Sequence, residues 1–426
     1  MLRLWAALVL LAAVPARADP PADPRADPLA DLVAGKTAAT PGIAGLAVVV
    51  ADGRGIVRQQ AFGRAVIAPA RSLTVDTPVR VASISKLVVA VAVMRLVEQG
   101  KLDLGSDVSR WLGWRLRSPG HPGVPVTLRQ LLSHTSGVED GPGYRFALGT
   151  TLRESLVPAH WSGAAPGTRF SYANLNYGII ATIMEAATGE RFDRLMTRLV
   201  LAPLRIDAGY NWSGASDAAV AMAAVLYRKG ADEAHWDPDG PWVAQVDDLG
   251  GRRPACPVAS GSGCDLDRYR PGDNGTLFSP QGGLRISALG LARIGRMLLR
   301  GGEIDGVRLL SRASVRVLTT PVWRDGDGTA GDTYHGQMRC YGPGLQCLSG
   351  EASGTDVPVP GARWWGHLGE AYGLYGGLWI DPDHRRVLVY LITGTADDPA
   401  KAPHVSAFTG VEEAVLRELA GSAAAR

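Results

Sequence analysis

From Pro78 the chain reads PVRVASISKLVVAVAVMRLVEQG, and between Ile84 and Val97 nearly every side of a helical projection is apolar. That pattern predicts a helix buried all round, closing near Gly100. Upstream, residues 41–63 hold two β-rich runs around Asp52-Gly53, a hairpin signal. VTLRQLLSHTSG (126–137) predicts a short helix ended by a glycine turn, and NYGIIATIMEAATG (176–189) a second strong helix. GGLRISALGLARIGRMLLRGG (282–302) places a third helix between glycine pairs. The chain then reads ARWWGHLGEAYGLYGGLWI, the turn DPDHRR, VLVYLITG and HVSAFTGVEEAVLRELA, which predicts strand, turn, strand and helix. Residues 210–275 show no usable periodicity. The two ends thus make one α/β lobe, an antiparallel sheet flanked by helices, with a mostly helical lobe inserted over roughly 100–280.

Composition narrows the class. A hydrophobic share of 46% and a charged share of 20% are ordinary for a globular chain of 426 residues. The formal charge of +3 and the scattered arginines give no basic arm for nucleic acid. Arg3, the apolar run LWAALVLLAAV (4–14) and ARA (16–18) read as an export signal over residues 1–18, too short in its apolar part to span a bilayer. Residues 19–35, with recurring Ala-Asp-Pro, read as a proline-rich tether ahead of a folded domain over 36–420, and 421–426 as a tail. The expected location is therefore periplasmic or secreted, with no stable membrane span after cleavage; oligomeric state is left open. Oxidising conditions make local Cys256–Cys264 and Cys340–Cys347 disulfides the simplest of three connectivities. A zinc site is the alternative, though these spacings are not two-residue knuckles.

The chemistry centres on one cation. Only five of the 44 Lys and Arg residues are lysines, and Lys86 stands three residues after Ser83 at the start of the buried helix. That spacing sets both side chains on one face, beside the positive end of the helix dipole. Burial disfavours the ammonium form, so a lysine here can become a neutral base, which arginine cannot. Ser83 would then be a nucleophile activated by Lys86. One Ser-x-x-Lys pair arises by chance about one time in four with so few lysines, so it needs company. FSYANLNYG (170–178) supplies Tyr172-x-Asn174 ahead of a helix. A phenol near an ammonium can be partly ionised and relay protons, and Asn174 can orient Lys86 and a substrate amide. In WWGHLGEAYG (364–373), His367 would add a polar side chain beside Ser83 and Gly369 a flat backbone. The amides of Ser83 and Glu370 would form an oxyanion hole. His121-Pro122-Gly123 fits His-x-Gly equally, and only strand context favours the later copy. A metalloenzyme built on His121 and His134 is the weakest reading, for want of helical His spacing.

VASISK, VTLRQLLSHTSGV, PGTRFSYANLNYGIIATIMEAATG, SPQGGLRIS and GHLGEAYG, in that order, resemble the successive signatures of the penicillin-recognising serine hydrolases. That family comprises class C β-lactamases, D-Ala-D-Ala carboxypeptidases and esterase relatives. The resemblance covers roughly residues 36–420 and is weakest over 210–275. It implies a β-lactamase/transpeptidase-like fold and an acyl-enzyme on Ser83. Lys86 is then the base, and Tyr172 with Asn174 relays protons and positions the substrate. It implies no cofactor and no metal, and its partner is a small-molecule or peptide acyl substrate. His134, in SHTSG, matches a stretch used structurally. The third motif departs: the usual Lys-Thr/Ser-Gly is absent, His367 replaces the cation and Leu368 the hydroxyl. His-x-Gly resembles the esterase-like members, so small esters, amides or D-amino-acid peptides are the expected substrates. A true class C-type β-lactamase, or a slow-turnover sensor of cell-wall fragments, is the alternative.

Overall fold

Both ends of the chain build the main sheet. The computed structural model describes residues 27–36, 42–230, 237–258, 263–328, 330–351, 354–396 and 405–421. The expected leader, 1–18, lies outside them, as do 422–426 of the tail. Five long strands carry the sheet: β1 (Gly45–Asp52), β2 (Ile56–Val66), β3 (Trp365–Ala371), β4 (Leu374–Asp381) and β5 (Arg386–Ile392). Their order is β3-β4-β5-β1-β2, extended by Arg71–Ser72 beyond β2 and by Gln346–Cys347, Cys340–Tyr341 and Trp323–Arg324 beyond β3. The seam between the two ends is antiparallel, running from Leu46 opposite Ile392 to Asp52 opposite Arg386.

Strands β1 and β5 are apolar without alternation because both faces of the sheet are covered. Ala47, Val49 and Ala51 face one core with Val387, Val389 and Leu391. Leu46, Val48 and Val50 face the other with Leu388, Tyr390 and Ile392. Helices α2 (Ile84–Glu98) and α4 (Ala288–Leu299) cover the first face. Helices α1 (Pro28–Val33) and α5 (Gly410–Gly421) cover the second. Helix α3 (Leu175–Thr188) stands in the inserted lobe, ended by Gly189 in the left-handed region.

Two expectations need correction. Residues 28–33 are not tether: Asp27 caps α1, and Leu29 and Leu32 are buried in the second core beside α5. Each such side chain contributes about 1.5–3 kcal/mol by leaving water, which is why a proline-flanked segment stays docked. The long apolar run 362–380 is also two strands rather than one, since Tyr372 (φ 60°) and Gly373 (φ 82°) form a two-residue turn between β3 and β4. Within 210–275 the structure has a short helix, Asp217–Ala221, and a pair of strands, Leu226–Lys229 and Trp242–Val246. Cys256 is bonded to Cys264 and Cys340 to Cys347. Among the described residues no helix is long and apolar enough to cross a membrane.

Candidate active site

Ser83 precedes α2 with helical backbone angles, and its side chain makes no capping bond. Serine at this position usually spends its oxygen on the helix N–H groups. Here the preceding residue, Ala82, sits at φ 44°, a turn that aims Ser83 away from that role. A small second sheet fixes the approach. Val79 and Arg80 pair with Ile286 and Arg285, and the Val81 N–H donates to the Leu284 carbonyl at 3.0 Å. The segment before Ser83 is thereby held against the segment after Gln281.

Lys86 has no solvent exposure. Its Nζ lies 2.9 Å from Ser83 Oγ, 2.9 Å from Asn174 Oδ1 and 3.0 Å from the Gln281 carbonyl oxygen. Burial pulls its pKa down to about 7, with the charge of Asp140 acting the other way. A neutral amine has two N–H groups and one lone pair, and these three neighbours match it. Asn174 and Gln281 accept the two hydrogens, leaving the lone pair for the Ser83 hydroxyl proton.

Tyr172 Oη donates to Ser83 Oγ at 2.9 Å. Burial, with Tyr334 nearby, pushes this phenol well above its ordinary value. The expected partial ionisation of Tyr172 is therefore corrected: it is a neutral donor, because desolvation outweighs the Ser83 hydrogen bond that acts the other way. Beneath it, the His134 ring lies 4.4 Å from the Tyr172 ring, and His134 Nδ1 accepts from the Ala173 N–H at 3.2 Å. His134 thus shapes the Tyr172–Asn174 turn without touching Ser83. Asp140 orients the same turn, accepting from Asn174 Nδ2 and from the Leu175 N–H, each at 2.9 Å.

The expectation for His367 is corrected: it does not present a free polar side chain beside Ser83, and both of its ring nitrogens are engaged. Its side chain is fully buried, with Nδ1 at 2.6 Å from the Leu368 carbonyl and Nε2 at 2.8 Å from Tyr341 Oη. The first contact puts the proton on Nδ1, so Nε2 accepts from the Tyr341 hydroxyl. Burial, then the Lys86 charge, drives its pKa to about 3, so the ring is neutral. Tyr341 reaches it from the hairpin that the Cys340–Cys347 bond closes.

Gly369 brings β3 against the turn before Ser83: a methyl group there would stand 2.5 Å from the Val81 carbonyl oxygen and 3.0 Å from Ile84. Gln346 and Cys347 pair only with Gly366 and Trp365, so among the described residues no strand covers β3 at Glu370 on that edge. A cleft of about 550 Å³ opens there, lined by Asn174, Glu370, Tyr144, Arg145, Tyr334 and Tyr372. His121 lies elsewhere, its Nε2 3.1 Å from the Gly163 carbonyl. Among the described residues no group of His, Cys, Asp or Glu gathers as a metal site.

Sequence reasoning missed Asp140, Tyr341 and the Gln281 carbonyl. Gln281 lies in SPQGG, a stretch already singled out, but a main-chain acceptor leaves no residue-type signal. Asp140 in GVEDGPG and Tyr341 inside a cysteine loop carry no motif at all.

The family profile described as Beta-lactamase matches residues 29–409, so the chain belongs to the beta-lactamase family. Penicillin-binding protein 4* of Bacillus subtilis is 31% identical over 173 residues, 38% of this chain and 36% of that protein. The chain thus spans about a third of that relative's length. Esterase EstB of Burkholderia gladioli is 28% identical over 380 residues, 85% of this chain and 88% of the esterase. Among solved structures, EstCE1, a hydrolase with promiscuous acyltransferase activity, superposes with a TM-score of 0.64 at 20% identity, over 89% of this chain and 94% of that one. The last likeness concerns the fold alone.

Proposed function

We propose that this chain is an exported serine hydrolase that works through an acyl-enzyme on Ser83, with small esters, amides or D-amino-acid peptides as substrates. The observation that carries the reading is the buried Lys86 amine 2.9 Å from Ser83 Oγ, with Asn174 Oδ1 and the Gln281 carbonyl placed to accept its N–H groups. In acylation Ser83 Oγ bonds to the substrate carbonyl carbon as its proton passes to Lys86 Nζ. The tetrahedral oxyanion is met by the Ser83 and Glu370 amides. The bond to the leaving group then breaks, and the leaving atom takes a proton from Tyr172, which regains one from Lys86. Water attacks the ester with the same groups reversed, releasing the acid and restoring Ser83.

Esters and amides are preferred over β-lactams because neutral His367 and Leu368 offer neither cation nor hydroxyl to a carboxylate on the leaving side. The likeness to an esterase over 85% of this chain supports the same choice. Export is supported by the two disulfides and by the leader-like residues 1–18. The test is a panel of 4-nitrophenyl esters, a chromogenic cephalosporin and a D-Ala-D-Ala peptide, with mass spectrometry of the trapped enzyme. Ester or D-peptide turnover with the acyl mass on the Ser83 peptide is expected. An acyl mass on another residue overturns the reading.

A further inference from the structure

We propose that the acyl group this site accepts itself carries a carboxylate, held by Arg80 and Arg145. This rests on the acyl-enzyme reading above and deepens it by naming a substrate class.

A second cavity of about 200 Å³ is lined by Arg80, Arg145, Arg285, Asp247, Trp212 and Ser279. It adjoins the cleft beside Asn174 and Glu370, because Arg145 lines both. The Arg80 guanidinium also lies 4.6 Å over the ring of Tyr372, which lines the larger one. Three guanidiniums here face one carboxylate, and that carboxylate is taken. Asp247 accepts from Arg285 Nε at 3.0 Å, Arg285 Nη2 at 2.9 Å and Trp212 Nε1 at 3.1 Å. Arg285 spends its remaining Nη1 on Asn211 Oδ1 and the Gly283 carbonyl, both at 2.9 Å. That ion pair is closed.

Arg80 is anchored by one bond, Nε to the Gly282 carbonyl at 3.1 Å. Among the described residues neither Arg80 nor Arg145 has a carboxylate within ion-pair reach. Burial first, then the charges of Arg285 and Arg145, hold the Arg80 guanidinium down at about 10, where it remains protonated at neutral pH. With Asp247 taken by Arg285, Arg80 and Arg145 are both left without a counter-charge among the described residues, and a guanidinium fork suits a carboxylate.

The position says which half of the substrate bears it. His367 lies near the start of β3 and Tyr372 in the turn just past its end; from His367 to Ala371 the strand rises about 13 Å, with Glu370 between. Tyr172 returns the proton to the leaving group in the mechanism above; its ring lies 6.3 Å from the His367 ring and 4.9 Å from that of Tyr334, and among the described residues it makes no ring contact with Tyr372, Arg80 or Arg145. The leaving group belongs at the His367 end, and the acyl chain at the Tyr372, Arg80 and Arg145 end. Tyr144, Tyr334 and Tyr372 offer the intervening carbons aromatic walls. The class is an acyl chain ending in a carboxylate, as in half-esters or half-amides of dicarboxylic acids.

The probe pair is mono-4-nitrophenyl adipate and 4-nitrophenyl hexanoate, equal in chain length and differing in the terminal carboxylate. Wild type is expected to favour the adipate in kcat/KM, and salt to erode that preference. Arg145→Gln should lower the adipate-to-hexanoate ratio about tenfold, as loss of one charged hydrogen-bond donor does, and Arg145→Lys should restore part of it. A ratio unmoved by Arg145→Gln overturns the proposal. If wild type cleaves neither ester, the hydrolase reading fails separately. The anion preference is then read by calorimetry with Ser83→Ala, where equal affinity for the two esters overturns it and tighter adipate binding upholds it.

Discussion

Asp140 and Asn174 are joined by a 2.9 Å hydrogen bond from Asn174 Nδ2, and that bond decides which end of the amide faces Lys86. With the amide nitrogen engaged by the carboxylate, Oδ1 is turned to the lysine amine. Asp140 is also the one charge that raises the Lys86 pKa against burial. Asp140→Asn should therefore move the acid limb of the kcat/KM profile to lower pH, since removing an anion disfavours the ammonium form. It should also lower kcat several-fold as Asn174 loosens. A pH–rate series on both proteins checks this, and an upward shift of the limb would contradict it.

Wild-type activity should fall as pH drops through about 7, the value to which burial brings Lys86. The sign follows from the role: the base must be neutral, and below its pKa the lone pair is occupied by a proton. His367 is held to about 3 and remains neutral across this range, so it adds no second limb there. Pre-steady-state acylation rates across pH separate this limb from any change in deacylation.

Ser83→Ala should reduce turnover below about 1% of wild type, because loss of a nucleophile usually costs far more than that. The fold should survive, since the Ser83 side chain makes no helix cap whose loss would unwind α2. Single-turnover kinetics beside a circular dichroism melt make the check. A variant that melts normally yet retains several per cent activity would place the nucleophile elsewhere.

Lys86→Arg should slow acylation by about 10²–10⁴, the usual worth of a general base. It should also destabilise the protein by about 1–3 kcal/mol. The site around Nζ is closed at 2.9–3.0 Å on three sides and has no exposure, so a larger, permanently charged group must displace its neighbours. Urea unfolding alongside burst kinetics measures both effects.

Gly369→Ala should cost both stability and rate. The added methyl would stand 2.5 Å from the Val81 carbonyl, a main-chain atom two residues before Ser83 that cannot rotate aside. Moving β3 away would carry the Glu370 amide with it, so kcat should drop more than KM rises. Gly366→Ala is the control for strand damage alone, because its clash is with the Leu378 carbonyl in β4.

The local part of this protein was legible in one dimension. The three-residue spacing of Ser83 and Lys86 fixes a shared helix face, and the all-round apolar run 84–97 fixes a buried helix. The β-rich runs around Asp52-Gly53 and the strand pattern near the other chain end announced one sheet built from both, and the β1–β5 seam joins them. Where reading went astray, a local pattern was overruled by what packs on it. Prolines suggested a tether at 28–33, but Leu29 and Leu32 found a core built by α5, almost four hundred residues later. The strand run through 372–373 was broken by backbone angles that composition does not report.

Protonation and orientation belonged to the tertiary structure alone. The Lys86 pKa is brought down to about 7 because the fold buries it, with Asn174 and Gln281 arriving from positions 88 and 195 residues away to bond its amine. Tyr172 stays a phenol, and His367 stays neutral behind Tyr341, for the same reason. Sequence determined which groups were on hand and which neighbours along a helix they would meet, since those follow from a fixed repeat. Desolvation and long-range contacts sum over every residue that closes around a group, and only the folded chain decides which residues those are.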